Sequence, residues 1–255
     1  MNADSLPILL RSLELATVER ECDQAIARAE AENWGYRRLL AHLAQAELQD
    51  RRNRKIERLL KDSDLPASET FARFDPAKMP EKARRMLSTL MAGDFVRRGD
   101  NLVAKGLPGR GKSGFVAALA RELAERHEMK VLFAPAFKLA ARLVAAKREM
   151  KLVQTLSKLN RYDAILVDEL GGYVEFTQEE IDVLFSFFGE RYEKQKSVFV
   201  TTNLSFGEWG AVFKNPMTAA AIVDRFVHRC VILEFNGPSI RKEEAEQRAK
   251  KEAAV

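Results

Sequence analysis

Residues 106–113 read Gly-Leu-Pro-Gly-Arg-Gly-Lys-Ser, a glycine and four residues followed by Gly-Lys-Ser. The apolar run 102–104 before this stretch suits a short buried strand, and the apolar residues after it recur at helical spacing at Phe115, Val116, Leu119 and Leu123. A strand, a glycine-rich loop and a helix in this order predict a phosphate-binding loop in an α/β protein. A glycine-rich turn without a ligand is the alternative interpretation.

A loop of this kind binds phosphate through its backbone. Glycines let successive N–H groups turn inward, and the helix that begins near Lys112 adds the positive end of its dipole. We expect Lys112 to contact the β- and γ-phosphates and the Ser113 hydroxyl to ligate Mg²⁺. The predicted nucleotide-binding residues are Gly106, Leu107, Pro108, Gly109, Arg110, Gly111, Lys112, Ser113 and Gly114. Since a buried strand rarely ends on an unpaired lysine, Lys105 is expected to form an ion pair or to extend its ammonium group to solvent.

Two acids follow a second apolar run. The residues 164–167 are apolar, and Asp168 and Glu169 come directly after them. We expect Asp168 to hold Mg²⁺ together with Ser113, and Glu169 to orient or deprotonate the attacking water. Taken alone, this pattern fits a strand that runs into a solvated turn equally well. After a phosphate loop, the acidic pair indicates hydrolysis.

Two more buried strands are predicted at 197–203 and 230–235, where β-branched and aromatic residues are dense. Ligands of open α/β sheets gather at the carboxyl ends of strands, so Asn203 could bond the γ-phosphate or the attacking water. An ordinary turn asparagine is the alternative. Arg225 lies between these strands and Arg241 beyond them; alone, each is more often a surface ion-pair partner than a catalytic group.

The order of these motifs resembles the AAA+ ATPases of the IstB/DnaC-like group, and particularly the IstB-like helper ATPases of bacterial insertion sequences. Supporting segments are Asp-Glu-Leu-Gly at 168–171, Phe-Gly-Glu-Trp at 206–209 and Asp-Arg-Phe-Val-His at 224–228. The resemblance covers nearly the whole chain. It implies an α/β, P-loop AAA+ ATPase core with a parallel sheet flanked by helices, preceded by a small all-helical N-terminal domain. It also implies four catalytic residues: Glu169, Asn203 as the first sensor, Arg225 as an arginine finger and Arg241 as the second sensor.

The activity implied by this resemblance is Mg²⁺-dependent hydrolysis of ATP, completed by a neighbouring subunit. An always-charged, planar guanidinium suits the charge that develops on a transferred phosphoryl group. The implied partners are double-stranded DNA, further copies of the chain in a ring or spiral, and a transposase. A DnaC-like replicative helicase loader is the close alternative. A small-molecule kinase and a scaffold that binds ATP but hardly hydrolyses it are other interpretations. Gly114 departs from the family pattern, which often has a bulkier residue there.

The N-terminal region carries a basic ridge. Residues 5–62 contain one glycine and one proline and predict helices throughout, the longest from about 35 to 61. Two turns of this helix carry the predicted DNA-binding residues Arg51, Arg52, Arg54, Lys55 and Arg58. A ridge of positive charge suits DNA phosphates, but basic runs on exposed helices are often only solvated faces. The resemblance favours DNA, with little sequence selectivity because phosphate contacts do not read bases.

Composition limits the other function classes. The 255 residues include 42 basic and 37 acidic side chains, a net charge of +5, which permits nucleic-acid binding without requiring it. Cys22 and Cys230 show no metal-binding spacing and fall in separate predicted domains, so no disulfide framework is expected. The N-terminus lacks the pattern of a signal peptide, and no run approaches a membrane span. We therefore expect a cytoplasmic protein without a membrane partner.

Four parts of the chain are predicted. A helical domain that binds DNA or a partner occupies 1–65, and a packed connector with three prolines occupies 66–100. The AAA+ ATPase domain is predicted at 101–242. The tail 243–255 is highly charged and lacks large apolar residues, so it is expected to be disordered.

Overall fold

The computed structural model describes residues 5–75, 79–172, 175–213 and 216–236, together with residue 239. The chain divides into two compact units, Met1–Arg58 and Leu59–Val255. The predicted domain boundaries are close to this division but remain predictions. Arg241 and the tail 243–255 lie outside the described residues.

The first unit is helical, in agreement with the prediction for this region. Its elements are α1 (Leu6–Ser12), α2 (Ala16–Ala31) and the larger part of α3 (Tyr36–Lys61). Pro7 lies in the first turn of α1, where its missing N–H has no intrahelical partner to lose. The small core of this unit consists of Leu10, Val18, Cys22, Ala25 and Leu43.

A five-stranded parallel sheet forms the centre of the second unit. The strands are β1 (Asn101–Lys105), β2 (Val131–Pro135), β3 (Ala164–Asp168), β4 (Ser197–Thr202) and β5 (Cys230–Glu234). Their spatial order is β2-β3-β4-β1-β5, and every neighbouring pair is parallel. The predicted α/β architecture is thereby confirmed. The strand β2 was not predicted, and β4 and β5 each end one residue before the predicted limit.

Helices cover both faces of the sheet. They are α4 (Glu81–Met91), α5 (Asp94–Arg97), α6 (Lys112–His127), α7 (Ala136–Arg148), α8 (Leu152–Leu159), α9 (Gln178–Glu193), α10 (Trp209–Phe213) and α11 (Pro216–Val227). The strand β1 is buried on both sides: Val103 packs into one hydrophobic core, and Leu102 and Ala104 pack into the other. This double burial is expected for a central parallel strand. Within the described residues, no helix has the length and apolar composition needed to cross a membrane.

A buried arginine connects several elements at the amino end of the sheet. Arg191 of α9 is 1% exposed, and its guanidinium donates hydrogen bonds to four backbone carbonyl oxygens. These acceptors belong to Leu159, Tyr162, Asp163 and Ser197, at distances of 2.6–3.2 Å. Burial lowers the pKa of Arg191 to about 9, and nearby Asp163 opposes this shift. Arg191 therefore fixes the turn before β3 and the start of β4.

Candidate active site

The phosphate loop connects the carboxyl end of β1 to α6. Gly106, Gly109 and Gly111 have φ values of +146°, +76° and +79°, a region in which side chains are disfavoured. At Gly106 a β-carbon would lie 2.4 Å from the carbonyl oxygen of Phe235, so the close approach of two backbones also requires glycine. Lys105 forms an ion pair with Glu234 of the adjacent strand at 2.9 Å. Of the two arrangements expected for Lys105, an ion pair or an ammonium group extended to solvent, the structure has the ion pair.

The charged groups of the loop lie close to its backbone. Lys112 is the first residue of α6, and its Nζ donates hydrogen bonds to the carbonyl oxygens of Gly106 at 2.6 Å and Leu107 at 2.9 Å. Its ammonium group is thus held over the loop, where a phosphate would lie. Nε of Arg110 is buried and has no hydrogen-bond partner among the described residues. Ser113 follows in the first turn of α6, and Leu107 and Pro108 are exposed at the loop surface.

The two acids at the carboxyl end of β3 are held by one threonine of β4. The Thr201 hydroxyl donates a 2.5 Å hydrogen bond to Oδ1 of Asp168 and accepts a 2.9 Å hydrogen bond from the backbone N–H of Glu169. Glu169 has φ +59°, an uncommon conformation for a residue with a side chain, and its side chain is exposed. The backbone of Leu170 completes the attachment by donating to the carbonyl oxygen of Thr201. The acidic turn is therefore a fixed and locally strained structure.

Asn203 follows β4 at the same edge of the sheet. Its Oδ1 is buried and has no hydrogen-bond partner in the part of the chain that the structure describes. A buried amide oxygen without a partner is costly, and a bound ligand or water would satisfy it. This observation favours the predicted contact with water or nucleotide over an ordinary turn asparagine.

The sheet topology brings the predicted catalytic groups to one edge. The strand β4 lies between β3 and β1, and neighbouring strands are about 4.8 Å apart, so Asp168 and the phosphate loop are separated by about 10 Å. This spacing suits a triphosphate and Mg²⁺ placed between them. Donors and acceptors that fit a nucleotide therefore lie at this edge: glycine N–H groups, the ammonium of Lys112, the carboxylate of Asp168 and the buried Oδ1 of Asn203.

Arg225 is not part of this group. It lies exposed on α11, its guanidinium is 5.9 Å from the ring centre of Phe185, and it lines a cavity with Gly99 and Asn101 at the amino end of β1. The phosphate loop begins at the other end of this five-residue strand, about 16 Å away. Within one chain, Arg225 is therefore remote from the phosphate loop. The predicted second sensor, Arg241, lies outside the described residues.

The predicted DNA-binding residues are all exposed on α3, but two of them also stabilise the first unit. Arg51 pairs with Glu47 at 2.7 Å, and Arg54 pairs with Asp50 at 2.8 Å. Glu47 is 3% exposed and accepts hydrogen bonds from the backbone N–H groups of Thr17 and Val18 at the start of α2. Sequence reasoning did not select Glu47, because its burial at the contact between α2 and α3 depends on tertiary packing.

Thr201 and Glu69 are functional candidates that sequence reasoning did not select. The string Val-Thr-Thr-Asn at 200–203 contained a signal for Thr201, since small polar residues at the end of a buried strand lie beside the ligand edge. Glu69 had no such signal. Its carboxylate contacts the first turn of α6 at Gly114, 45 residues later in the chain, and only the folded structure brings them together.

Comparisons with known proteins agree with this geometry. The family described as IstB-like ATP binding protein matches residues 8–248. A putative insertion sequence ATP-binding protein of Sinorhizobium fredii is 36% identical, over 94% of this chain and 80% of its own length. The insertion sequence IS21 putative ATP-binding protein of Pseudomonas aeruginosa is 32% identical, over 94% of this chain and 89% of its own. The crystal structure of the DnaC helicase loader aligns with a TM-score of 0.56 at 20% identity, over 67% of this chain and 98% of that one. The DnaC likeness concerns the fold alone.

Proposed function

Because this chain belongs to the family of IstB-like ATP-binding proteins, we propose that it is an AAA+ regulator that uses ATP to assemble on double-stranded DNA and recruits or stimulates a transposase. Its activity in this proposal is Mg²⁺-dependent hydrolysis of ATP to ADP and phosphate. The observation that carries the proposal is the set of groups at one sheet edge: the phosphate loop, the Asp168–Glu169 turn held by Thr201, and Asn203.

Each residue at this edge has a separate task. The loop N–H groups and Lys112 bind the phosphates, while Ser113 and Asp168 would hold Mg²⁺, which would neutralise phosphate charge. Glu169 takes a proton from the attacking water, and Asn203 orients that water through its amide. Glu169 directly follows the last residue of β3, and its exposed side chain is accessible to water.

The remote position of Arg225 supports a site shared between subunits. A guanidinium at the amino end of β1 cannot neutralise charge on a nucleotide bound at the carboxyl end of the same strand. In a head-to-tail assembly, however, the amino edge of one copy faces the loop of the next, and such heterologous contacts generate rings or spirals. Arg225 then supplies the arginine finger in trans, and Arg241 the second sensor.

The proposed hydrolysis is tested by measuring phosphate release from ATP and Mg²⁺, with and without duplex DNA and without any other acceptor. We expect release that rises with DNA and falls by at least about 100-fold in Glu169→Gln, while that variant still binds ATP. Absence of release without a small-molecule acceptor would favour a kinase. Equal release from the parent protein and Glu169→Gln would favour a scaffold that only binds ATP.

A second candidate function is that of a replicative helicase loader, whose partner would be the replicative helicase. The relatives that are 31–36% identical are named for insertion sequences, which favours a transposase. Co-purification of the full chain with the transposase from its own element and with the replicative helicase separates the two candidates. We expect ATP-dependent retention of the transposase only, and retention of the helicase alone would favour the loader.

A further inference from the structure

A segment before α4 lies against the helix that follows the phosphate loop. Arg121 of α6 attaches this segment by donating hydrogen bonds to the carbonyl oxygens of Pro66 and Glu69, both at 3.2 Å. The ring of Phe71 contacts Phe115 of α6 with centres 5.4 Å apart, and Phe74 contacts the same ring at 6.3 Å. The segment 66–74 is therefore packed onto the first turns of α6.

The missing side chain of Gly114 makes room for the Glu69 carboxylate. A β-carbon at Gly114 would lie 2.6 Å from Oε2 of Glu69 and 3.2 Å from Cζ of Phe74. The first of these distances is too short for any real β-carbon. Glu69 is half-buried, and its carboxylate thus lies directly beside the residue that follows Ser113. Gly114 therefore gives the Glu69 carboxylate room to lie against the first turn of α6.

The place of this carboxylate relative to a bound nucleotide follows from the phosphate loop. The loop N–H groups and the amino end of α6 cradle the α- and β-phosphates. The sugar is attached to the α-phosphate, so it emerges beside the first turn of α6, where Gly114 and Glu69 lie. A carboxylate accepts hydrogen bonds and cannot donate them, so it repels phosphate oxygens but can bind hydroxyl groups.

We propose that Glu69 is a specificity-determining residue that accepts hydrogen bonds from the ribose hydroxyl groups of the bound adenine nucleotide. The same chemistry is used where an acidic side chain in a dinucleotide-binding fold bonds a ribose hydroxyl. Gly114 is the partner of Glu69 in this role, because a β-carbon at residue 114 would require the carboxylate to shift from its present position. The inference rests on the proposed binding of ATP at the phosphate loop.

The test compares the affinities of ADP and 2′,3′-dideoxy-ADP, neither of which is consumed during titration calorimetry. The full-length protein should bind ADP about tenfold more tightly than the dideoxy nucleotide, as expected for hydrogen bonds to a charged acceptor. Glu69→Ala should lose this preference, so that the ratio of the two affinities falls to about one. Glu149→Gln, which alters an exposed carboxylate after α7, is the matched control and should keep the preference.

A second variant guards against an indirect effect of Glu69→Ala on packing. Gly114→Ala keeps the carboxylate but forces it to shift from its position beside α6, so it should also weaken the preference. If Glu69→Ala and Gly114→Ala retain the full preference for ADP, the inference is wrong. It is also wrong if Glu69→Gln binds both nucleotides more tightly with an unchanged ratio, because the carboxylate then acts only by repulsion. Failure of the parent protein to bind ADP or ATP would instead contradict the proposed function itself.

Discussion

Thr201 connects the two acids that the proposed hydrolysis assigns to different tasks. One hydroxyl bonds the Asp168 carboxylate and the Glu169 backbone, so the proposed metal ligand and the proposed base are positioned by the same atom. Groups that orient a metal ligand commonly affect activity almost as strongly as the ligand does. The positions of Asp168 and Glu169 therefore depend on Thr201, a residue that need not contact the nucleotide.

Replacement of Thr201 by valine should lower phosphate release by roughly 10- to 100-fold at saturating ATP and Mg²⁺, because Asp168 loses its hydroxyl donor without a change in side-chain volume. Thr201→Ser keeps the hydroxyl and should retain most of the activity. Thermal unfolding of both variants provides the control for folding. Turnover of Thr201→Val equal to that of the parent would show that the hydrogen bond to Asp168 has no role in hydrolysis.

At the scale of single elements, α3 combines two properties on one helix. Its outer surface carries the basic ridge, and its inner surface carries Glu47, whose carboxylate caps the start of α2. Burial alone would raise the pKa of Glu47, but hydrogen bonds from Arg51, Thr17 and Val18 outweigh burial and lower it. The ionised carboxylate thus stabilises the contact between α2 and α3.

The lowered pKa of Glu47 predicts how stability depends on pH. A carboxyl group with a lower pKa in the folded state stabilises the fold above its unfolded pKa, and this contribution is lost as pH falls through the folded value. Glu47→Gln should therefore lower the unfolding temperature at neutral pH, and the difference from the parent should shrink below about pH 4. Circular dichroism melts across this range provide the measurement, with exposed Glu57→Gln as the control. A difference that does not change with pH would contradict this assignment.

The ridge itself is best tested at positions other than Arg51 and Arg54, because the ion pairs of these two residues with Glu47 and Asp50 stabilise the first unit. Removing the charge of Arg52, Lys55 or Arg58 should reduce the slope of log affinity for duplex DNA against log salt by about 0.9 per residue, one phosphate contact each. Arg37→Gln, on an earlier turn of the same helix, is the control and should keep the slope. Unchanged slopes in all three variants would reject the ridge as the DNA contact.

The guanidinium of Arg191 joins α9 to the backbone of α8, the turn before β3, and β4. Arg191→Lys keeps the charge but loses most of these hydrogen bonds, so we expect a loss of about 2–4 kcal/mol in the free energy of unfolding. Urea denaturation followed by fluorescence measures this loss. Arg148→Lys alters an exposed ion pair with Glu179 and should change the midpoint little. Equal losses in the free energy of unfolding for the two variants would show that the hydrogen bonds of Arg191 contribute no more than an exposed ion pair.

Across the whole molecule, sequence patterns predicted best those residues whose function depends on their immediate neighbours in the chain. Backbone conformation and ligand type require particular residues at fixed spacing. This local requirement made it possible to predict the glycines of the loop, the two acids at the end of β3 and Asn203. Thr201, Glu47 and Glu69 act through neighbours that are distant in the chain, and no local pattern marks such pairs. The strand β2 was missed because a short apolar run gives no periodicity that separates a strand from a buried helix.

In the proposed function, ATP hydrolysis takes place at a site that a second copy of the chain completes. This claim is tested most directly by phosphate release from a mixture of Lys112→Ala and Arg225→Ala chains with ATP, Mg²⁺ and duplex DNA. Each variant alone should be nearly inactive, whereas an equal mixture should recover about a quarter of the parental rate, since half of the intact loops then face an intact arginine. A mixture no more active than the two separate variants would contradict the claim.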